Sequence, residues 1–564
     1  MFRAIELKKL KSLLRKVLGR PASAVVTIDT VSKIPSGLCI IGWYRRAEFQ
    51  QFIIEDSAGN GLPFNITLNQ RDDVVQSIGE PADGFQLLID VDKDTEVKCF
   101  YTDIRANKNL VKLDAEELPS KNLLAFSSSK GQLNAACEAV IISEKLCFVT
   151  GWLVDAGSLG RIQLVNDGGE VFAANAKALR FYRKDVSDSF GVSAGNAGFI
   201  ALLERNQTTK SQTGLTLEIT TGSLTDTVKI GQLVQAGAER SVNLKRVLNN
   251  WHSSSPSHFN NVDVVLPMVK AISPDNMTTG SQRVDFGVIP KSPKASIIIP
   301  LYGRFDFLRY QMSHFNRSKA TVACEIIYVV DDPAINHRTT QLAKDVSTLT
   351  KHPFSLVTLN QNVGYAKANN IGVKYASSNN IILLNSDVIP KTLDWLQLMV
   401  ETLANNDSAG AVGARLLFED GSLQHDGMAP MIHPDYPTIF LNDHPFKGWP
   451  QSLSPHPSAL AECKMVTAAC LAIKKTAFEQ VGGFSPEYVL GDFEDSDLCL
   501  KLLEAGYVNY IRRDVELYHL ERQSQNLVES GRWKHNLTIL NAITFNRKWA
   551  KKLAEISNSS KAAD

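Results

Sequence analysis

The sequence predicts an open α/β sheet over its C-terminal half, preceded by two copies of an all-β sandwich. Two observations carry this expectation. Short apolar strings at 296–299, 325–330, 355–359 and 381–384 alternate with helix-friendly stretches near 304–317, 337–350 and 365–378. Continuous apolar strands are expected in a mostly parallel sheet covered by helices on both faces, with right-handed crossovers between strands. Upstream, a set of landmarks occurs twice in one order. Leu38-Cys39-Ile40-Ile41-Gly42-Trp43 is echoed by Leu146-Cys147-Phe148-Val149-Thr150-Gly151-Trp152, and Arg71-Asp72-Asp73-Val74 by Arg183-Lys184-Asp185-Val186. Gly79 and Gly191 follow, then Gly84-Phe85 and Gly198-Phe199.

The 564 residues suffice for about three or four domains. Residues 1–21 carry seven basic side chains (Arg3, Lys8, Lys9, Lys11, Arg15, Lys16, Arg20) among apolar ones. Such an amphipathic helix either lies on an anionic membrane surface or packs on protein, and its ordinary length favours packing on its own domain. Residues 22–118 and 119–235 hold the two β copies, each of about a hundred residues, a usual sandwich size. Trp43 and Trp152 could serve as sugar-stacking platforms, but their apolar flanks favour the core. The Arg-Asp elements favour internal ion pairs over ligand sites. Residues 236–294, rich in Ser and Pro, read as a linker region. The α/β domain is expected over 295–552 and a flexible tail over 553–564.

Composition narrows the partners. A formal net charge of +1 leaves no broad basic field, so no nucleic acid partner is expected. No stretch reaches the apolar length of a membrane span, and charges interrupt every candidate signal-peptide core. Eight scattered cysteines without metal-type spacing read as reduced, buried thiols of a cytoplasmic protein. The sequence indicates no oligomeric state.

Polar residues follow the apolar strings consistently. Asp331 and Asp332 end the second, Asn362 and Gly364 follow the third, and Asn385-Ser386-Asp387 follows the fourth. Ligands of open parallel sheets bind beyond the carboxyl ends of the strands, so these groups converge on one edge. Each alone is also an ordinary helix cap or turn residue.

From about residue 294 to 524 the chain resembles a family 2 glycosyltransferase with the Rossmann-like GT-A fold, in the manner of the non-processive bacterial branch that builds rhamnan, O-antigen and similar surface glycans. The matching pieces are Ser296-Ile297-Ile298-Ile299-Pro300, Val330-Asp331-Asp332, Asn362-Val363-Gly364-Tyr365-Ala366-Lys367-Ala368-Asn369-Asn370 and Leu384-Asn385-Ser386-Asp387. Gly482-Gly483-Phe484, Glu494-Asp495-Ser496-Asp497 and His519 complete the set. The upstream repeat resembles accessory modules that precede the catalytic domain in some bacterial glycosyltransferases.

The resemblance implies a metal-dependent, inverting transfer from a nucleotide-sugar donor to a hydroxyl of a glycan, lipid-linked glycan or protein. Asp387 stands at the family's acid for a divalent metal (Mn²⁺ or Mg²⁺), with His519 at its second ligand. The family's motif commonly has an acid at both ends, whereas Asn385 occupies the first position here. Glu494-Asp495 is the family's acidic pair and Asp495 its general base, although acids there also simply favour a helix N-terminus. Asp331 or Asp332 is expected against the nucleobase, with the backbone from Pro300 to Gly303 nearby and Tyr302 stacked on the base. Asn362, Gly364 and Ser386 line the donor edge, and Lys367 and Asn370 steady the diphosphate at a helix start. Asp426 and the segment 421–430 resemble the acceptor-side loop, and the irregular 433–457 shapes acceptor choice.

Three other readings compete with this one. A nucleotidyltransferase needs a Gly-rich, Arg-containing loop after the first strand, and Leu301-Tyr302-Gly303-Arg304 is too poor in glycine. A processive synthase needs membrane spans and Gln-x-x-Arg-Trp, where Glu529 replaces the Gln before Arg532-Trp533. A non-catalytic sugar-binding protein with a degenerate α/β domain draws support from Asn385, and intact Asp387, Asp495 and His519 oppose it.

Overall fold

The computed structural model of the chain describes residues 25–561, apart from 35–36, 46–47, 63, 71–73, 75–81, 90–95, 104–106, 112–133, 155–160, 182, 184, 187–196, 210, 222–223, 238–239, 252–257, 273–278, 319–320, 434–435, 437–438, 457 and 521–531. The N-terminal amphipathic segment, Arg71-Asp72-Asp73, Gly79 and Gly191 therefore lie outside the described residues. The chain divides into two compact units. One holds the described residues up to Gly237 with 250–272 and 434–439, and the other holds 240–249, 279–433 and 440–561.

In the first unit, Val26–Ile34, Gly37–Arg45, Ala82–Ile89 and Phe64–Gln70 form a four-stranded sheet in that order. Phe49–Asp56, Val97–Asp103 and Lys108–Val111 form a three-stranded one. Their apolar sides meet in one core, where Tyr44 stacks on Phe49 at 4.0 Å and Phe52 lies 4.5 Å from Phe85. The second segment builds one eight-stranded sheet instead of two separate ones. Register shifts at Cys137/Ala139, Leu164/Val165 and Asn175/Lys177 mark bulges, which bend strands without ending them.

Both segments place the repeated landmarks in the same register. Trp43 pairs with Gly84 and Gly42 with Phe85; Trp152 pairs with Gly198 and Gly151 with Phe199. A Cβ on Gly42 would lie 2.2 Å from the Thr27 carbonyl oxygen, and one on Gly151 2.1 Å from that of Ala136. Glycine is thus required at both positions by close backbone approach. The expectation of core tryptophans is corrected: Trp43 and Trp152 are half-buried, because alternation sends them to the face opposite buried Tyr44 and Leu153. Arg183 forms an internal ion cluster, forked onto Asp185 at 2.6–2.7 Å and onto Glu138 at 3.0 Å. The guanidinium hydrogen bond holds the Asp185 carboxyl down at about 2.

The region read as a linker contains helices Arg240–Asn249 and His258–Ala271 and strand Ser281–Phe286. The Ser- and Pro-rich stretches around these helices hid them from sequence reasoning, and the second helix itself carries Pro267. That strand pairs antiparallel with Phe354–Leu359, so the α/β sheet begins before residue 295.

The second unit carries an eleven-stranded sheet. Phe354–Leu359, Glu325–Val330, Ser296–Leu301 and Asn380–Leu384 are neighbours in this order and parallel, as the apolar strings predict. Beyond them the sheet is mixed rather than mostly parallel. Cys470–Lys474 runs antiparallel to Asn380–Leu384, Ala409–Leu417 pairs with Val508–His519, and Val388–Pro390 closes on Val508–His519. The core joins Ile297, Ile326, Tyr328, Trp395, Val412 and Leu517. A final helix spans Arg532–Lys561 and buries Leu553 and Ile556, so most of the expected flexible tail is helical. Among the described residues, no helix is long and apolar enough to cross a membrane. Of the described cysteines, six are buried free thiols and Cys463 is half-buried.

Candidate active site

The acidic groups converge at the carboxyl ends of the parallel strands. Asp387 lies just before Val388, and Val388 pairs with His519 across antiparallel strands. This register brings His519 Nε2 to 3.4 Å from Asp387 Oδ1. His519 Nδ1 bonds Gln424 Oε1 at 2.6 Å, and Gln424 Nε2 donates to the His519 carbonyl at 3.1 Å. Gln424 thus fixes the ring and turns Nε2 toward the carboxylate, as an outer-shell partner does for a ligating histidine. The Asn385–Val388 turn is pinned from below by buried Gln311, which donates to the carbonyls of Asn385 at 2.8 Å and Val388 at 3.0 Å.

Asp495 reaches the same place through the 468–469 turn. The Asn385 N–H donates to the Ala469 carbonyl at 2.9 Å, while the Ala468 N–H donates to Asp495 Oδ2 at 3.2 Å. Tyr365 donates its hydroxyl proton to the Ala468 carbonyl at 3.0 Å. Burial raises that phenol well above its ordinary value, and the nearby Glu494, Asp495 and Asp387 carboxylates add to the rise. Tyr365 thus lies within electrostatic reach of all three acids.

The two members of the acidic pair differ. Asp495 is half-buried in the first turn of helix Glu494–Glu504, with Oδ1 on the Ser496 N–H at 2.8 Å. Glu494 is buried, and its Oε2 has no hydrogen-bond partner among the described residues. Burial, then the charge of Asp495, push its carboxyl well above 4.5, which favours its protonated form. Of the pair expected to be catalytic, Asp495 is the more exposed member and Glu494 is buried. Asp497, two residues on, is fully buried against Lys548, Lys501, Tyr488 and Trp549.

The donor-side residues also divide. Asp331 is buried and spends both oxygens on the backbone N–H groups of Val363 at 2.6 Å and Gly364 at 2.8 Å. Asn362 donates to the Asp331 carbonyl at 2.9 Å. Gly364 sits at φ +83°, where a Cβ would come within 2.9 Å of Leu490 Cα, so only glycine fits the turn. Asp332 is half-buried and accepts from the N–H of Ala334 at 3.0 Å and of Gly303 at 3.3 Å. It is the open member of its pair. Tyr302 is 38% exposed, Pro300 and Lys367 are half-buried, and Ser386 is buried. Asn370 departs from expectation: its amide exchanges two hydrogen bonds with the Phe484 backbone, at 2.8 and 3.0 Å, leaving the group engaged in the fold. Arg304, which no sequence motif marks, has Asp387 among its charged neighbours.

Asp426 is likewise spent. Its carboxylate lies between Arg513 at 2.9 Å and Arg415 at 3.2 Å and is fully buried. Sequence reasoning missed Gln424, Gln311 and the role of Tyr365; the resemblance placed Tyr365 in a motif but nothing local marked its partners.

Asp387 and His519 suit a divalent cation. Donors 3.4 Å apart can both sit about 2.1 Å from one ion, and one carboxylate with one imidazole is a familiar mixed donor set. Among the described residues, no group of three or more His, Cys, Asp or Glu side chains is placed to hold a metal. The remaining ligands would have to come from phosphate and water, as is usual for such ions at phosphate sites.

Residues 296–449 match the model of glycosyl transferase family 2. The uncharacterized protein y4gI of Sinorhizobium fredii is 32% identical over 242 residues, covering 42% of this chain and 25% of that protein. O-antigen biosynthesis protein RfbC of Myxococcus xanthus is 28% identical over 256 residues, covering 43% and 19% respectively. The chain thus spans a quarter or less of the length of these curated relatives. Among solved structures, GalNAc-T7 with UDP, GalNAc and Mn²⁺ aligns over 40% of this chain and 43% of its own, at 13% identity and a TM-score of 0.33. The similarity to glycosyl transferase family 2 lies in residues 296–449, about a quarter of the chain.

Proposed function

We propose that the chain transfers a sugar from a nucleotide-sugar to an acceptor hydroxyl, with inversion at C1, in bacterial surface-glycan synthesis at the cytoplasmic side. The observation that supports this reading is that Asp387 and His519 face each other at 3.4 Å while Asn385, two residues before Asp387, and Asp495 both bond the 468–469 turn. Asp387 and His519 would hold Mn²⁺ or Mg²⁺, which supplies positive charge against the departing diphosphate. The half-buried Asp495 takes the proton of the acceptor hydroxyl as the acceptor oxygen bonds to C1. The C1–phosphate oxygen bond breaks on the opposite face, and the nucleoside diphosphate leaves with that electron pair. Asp332, at the open end of its strand, and Tyr302 recognise the base. Asn385 removes one charge from the loop and leaves Asp387 as its only acid.

The upstream β segments are two copies of one module, a reading supported by their matched Gly-Trp register. The kinship with an O-antigen biosynthesis protein supports a surface-glycan acceptor, lipid-linked or free.

Purified protein with Mn²⁺ or Mg²⁺ is tested against a panel of nucleotide-sugars, following nucleotide release. At least one donor should turn over, chelation should stop it, and Asp387→Asn should lower it at least tenfold. No release from any donor under metal-replete conditions favours the sugar-binding alternative.

A further inference from the structure

We infer that Asn541, on the final helix, is a positioning residue that fastens the strap Val489–Phe493 and thereby sets the place of Asp495; this rests on the transferase reading. The strap has an unusual backbone. Leu490, Asp492 and Phe493 have φ of 61°, 90° and 73°, and Gly491 has 155°. Left-handed conformations are disfavoured for residues with a Cβ, and three within four positions persist only if neighbours impose them.

The final helix supplies those neighbours. Buried Asn541 accepts the Val489 N–H at 3.0 Å and donates to the carbonyls of Val489 at 3.0 Å and Gly491 at 2.7 Å. Three residues earlier, Thr538 donates to Asp492 Oδ2 at 2.7 Å, from the same helical face. One turn later, Phe545 packs against Phe493 at 5.3 Å between ring centroids. Lys548 and Trp549 then reach Asp497, at 2.7 and 2.8 Å. One face of helix Arg532–Lys561 therefore runs along the strap and the start of the helix that carries Asp495.

From the other side, the Leu490 carbonyl accepts the Tyr365 N–H at 2.8 Å. The strap thus joins the donor-side turn to the base. Phe493 occupies the N-cap of helix Glu494–Glu504 and supplies no side-chain cap. Ordinarily a capping Ser, Thr, Asp or Asn would fix such a helix start. Here the clamped strap does so, and Asp495 follows it by two residues.

Two variants of the full chain are compared with wild type: Asn541→Asp, which keeps the acceptor and loses both donated bonds, and Thr538→Val, which loses the bond to Asp492 at a more exposed site. Thr538→Ser serves as the conservative control. Hydrogen exchange is read at the strap amides, and kcat and donor KM are read separately. Exchange over 489–495 should accelerate at least tenfold in Asn541→Asp and a few-fold in Thr538→Val. kcat should fall in parallel, donor KM should stay within about threefold, and Thr538→Ser should match wild type in both readouts. Wild-type strap exchange in both variants, or unchanged kcat per folded molecule, overturns the inference. Should Asn541→Asp fail to fold, Thr538→Val decides. Should wild type lack turnover on every donor, the transferase reading falls, while unchanged strap exchange would still refute the clamp and accelerated exchange would still support it.

Discussion

Two acidic pairs frame the site, Asp331-Asp332 and Glu494-Asp495, and they divide labour in parallel ways. In each, the first acid is buried and the second half-buried. They differ in how the buried member is satisfied. Asp331 receives two backbone N–H groups, whereas Glu494 keeps an oxygen with no partner among the described residues, and burial pushes its carboxyl up. Donors on both oxygens tie a buried carboxyl into the fold, whereas burial without them favours its protonated form. The more exposed acids beside them, Asp332 and Asp495, are the ones the proposed transfer would use.

This division bears most strongly on rate. Asp495→Asn should lower turnover by roughly 10²–10⁴-fold, the range of a lost general base, with the melting temperature almost unchanged. The reverse outcome, a large loss of stability with turnover kept, would make Asp495 a fold-tying acid like Asp331.

Asp331→Asn should act on stability. It leaves an amide against the N–H of Val363 or Gly364, and leaving such a buried donor without its acceptor costs about 1–3 kcal/mol. Urea unfolding measures it, and an unchanged midpoint would erase the distinction between buried and open acids. Asp332→Ala should cost less, about 1 kcal/mol, because it removes a cap on the Ala334 N–H. Its donor KM should rise several-fold.

Glu494→Gln gives a change whose sign is fixed by the direction of its shift. The unfolded chain ionises near the ordinary value of 4.5, while the folded state holds its proton to higher pH. Unfolding therefore releases a proton above that value, and the group's contribution to stability is lost as pH rises toward the folded-state value. The glutamine cannot ionise. Unfolding midpoints of variant and wild type should coincide near about pH 4, with the variant increasingly more stable toward neutral pH. A variant less stable at neutral pH would mean that Glu494 is ionised in the fold.

Much of the second unit was legible because its signals are local. The four parallel strands follow from their apolar strings, and the Asn385–Asp387 turn from its place after one of them. The Gly-Trp repeats were legible for a steric reason, since Gly42 and Gly151 each face a carbonyl that no Cβ could share. What was not legible is long-range. Gln424 meets His519 across 95 residues, and Asn541 meets Val489 across 52. Neither glutamine nor asparagine carries a local pattern that reveals such a partner. Asp331 and Asn370 matched the motif by residue type, but type cannot say whether a polar group faces a ligand or its own backbone. Mixed strand direction was hidden likewise, because an apolar strand buried on both faces reads the same in either sense.

A crystal structure of the chain with Mn²⁺ and whichever nucleotide-sugar the donor panel identifies would decide the matter. One ion is expected at about 2–2.3 Å from both the Asp387 carboxylate and His519 Nε2, with the diphosphate on it and the sugar C1 exposed toward Asp495. A diphosphate bound elsewhere, or an ion that touches neither side chain, would overturn the proposed site.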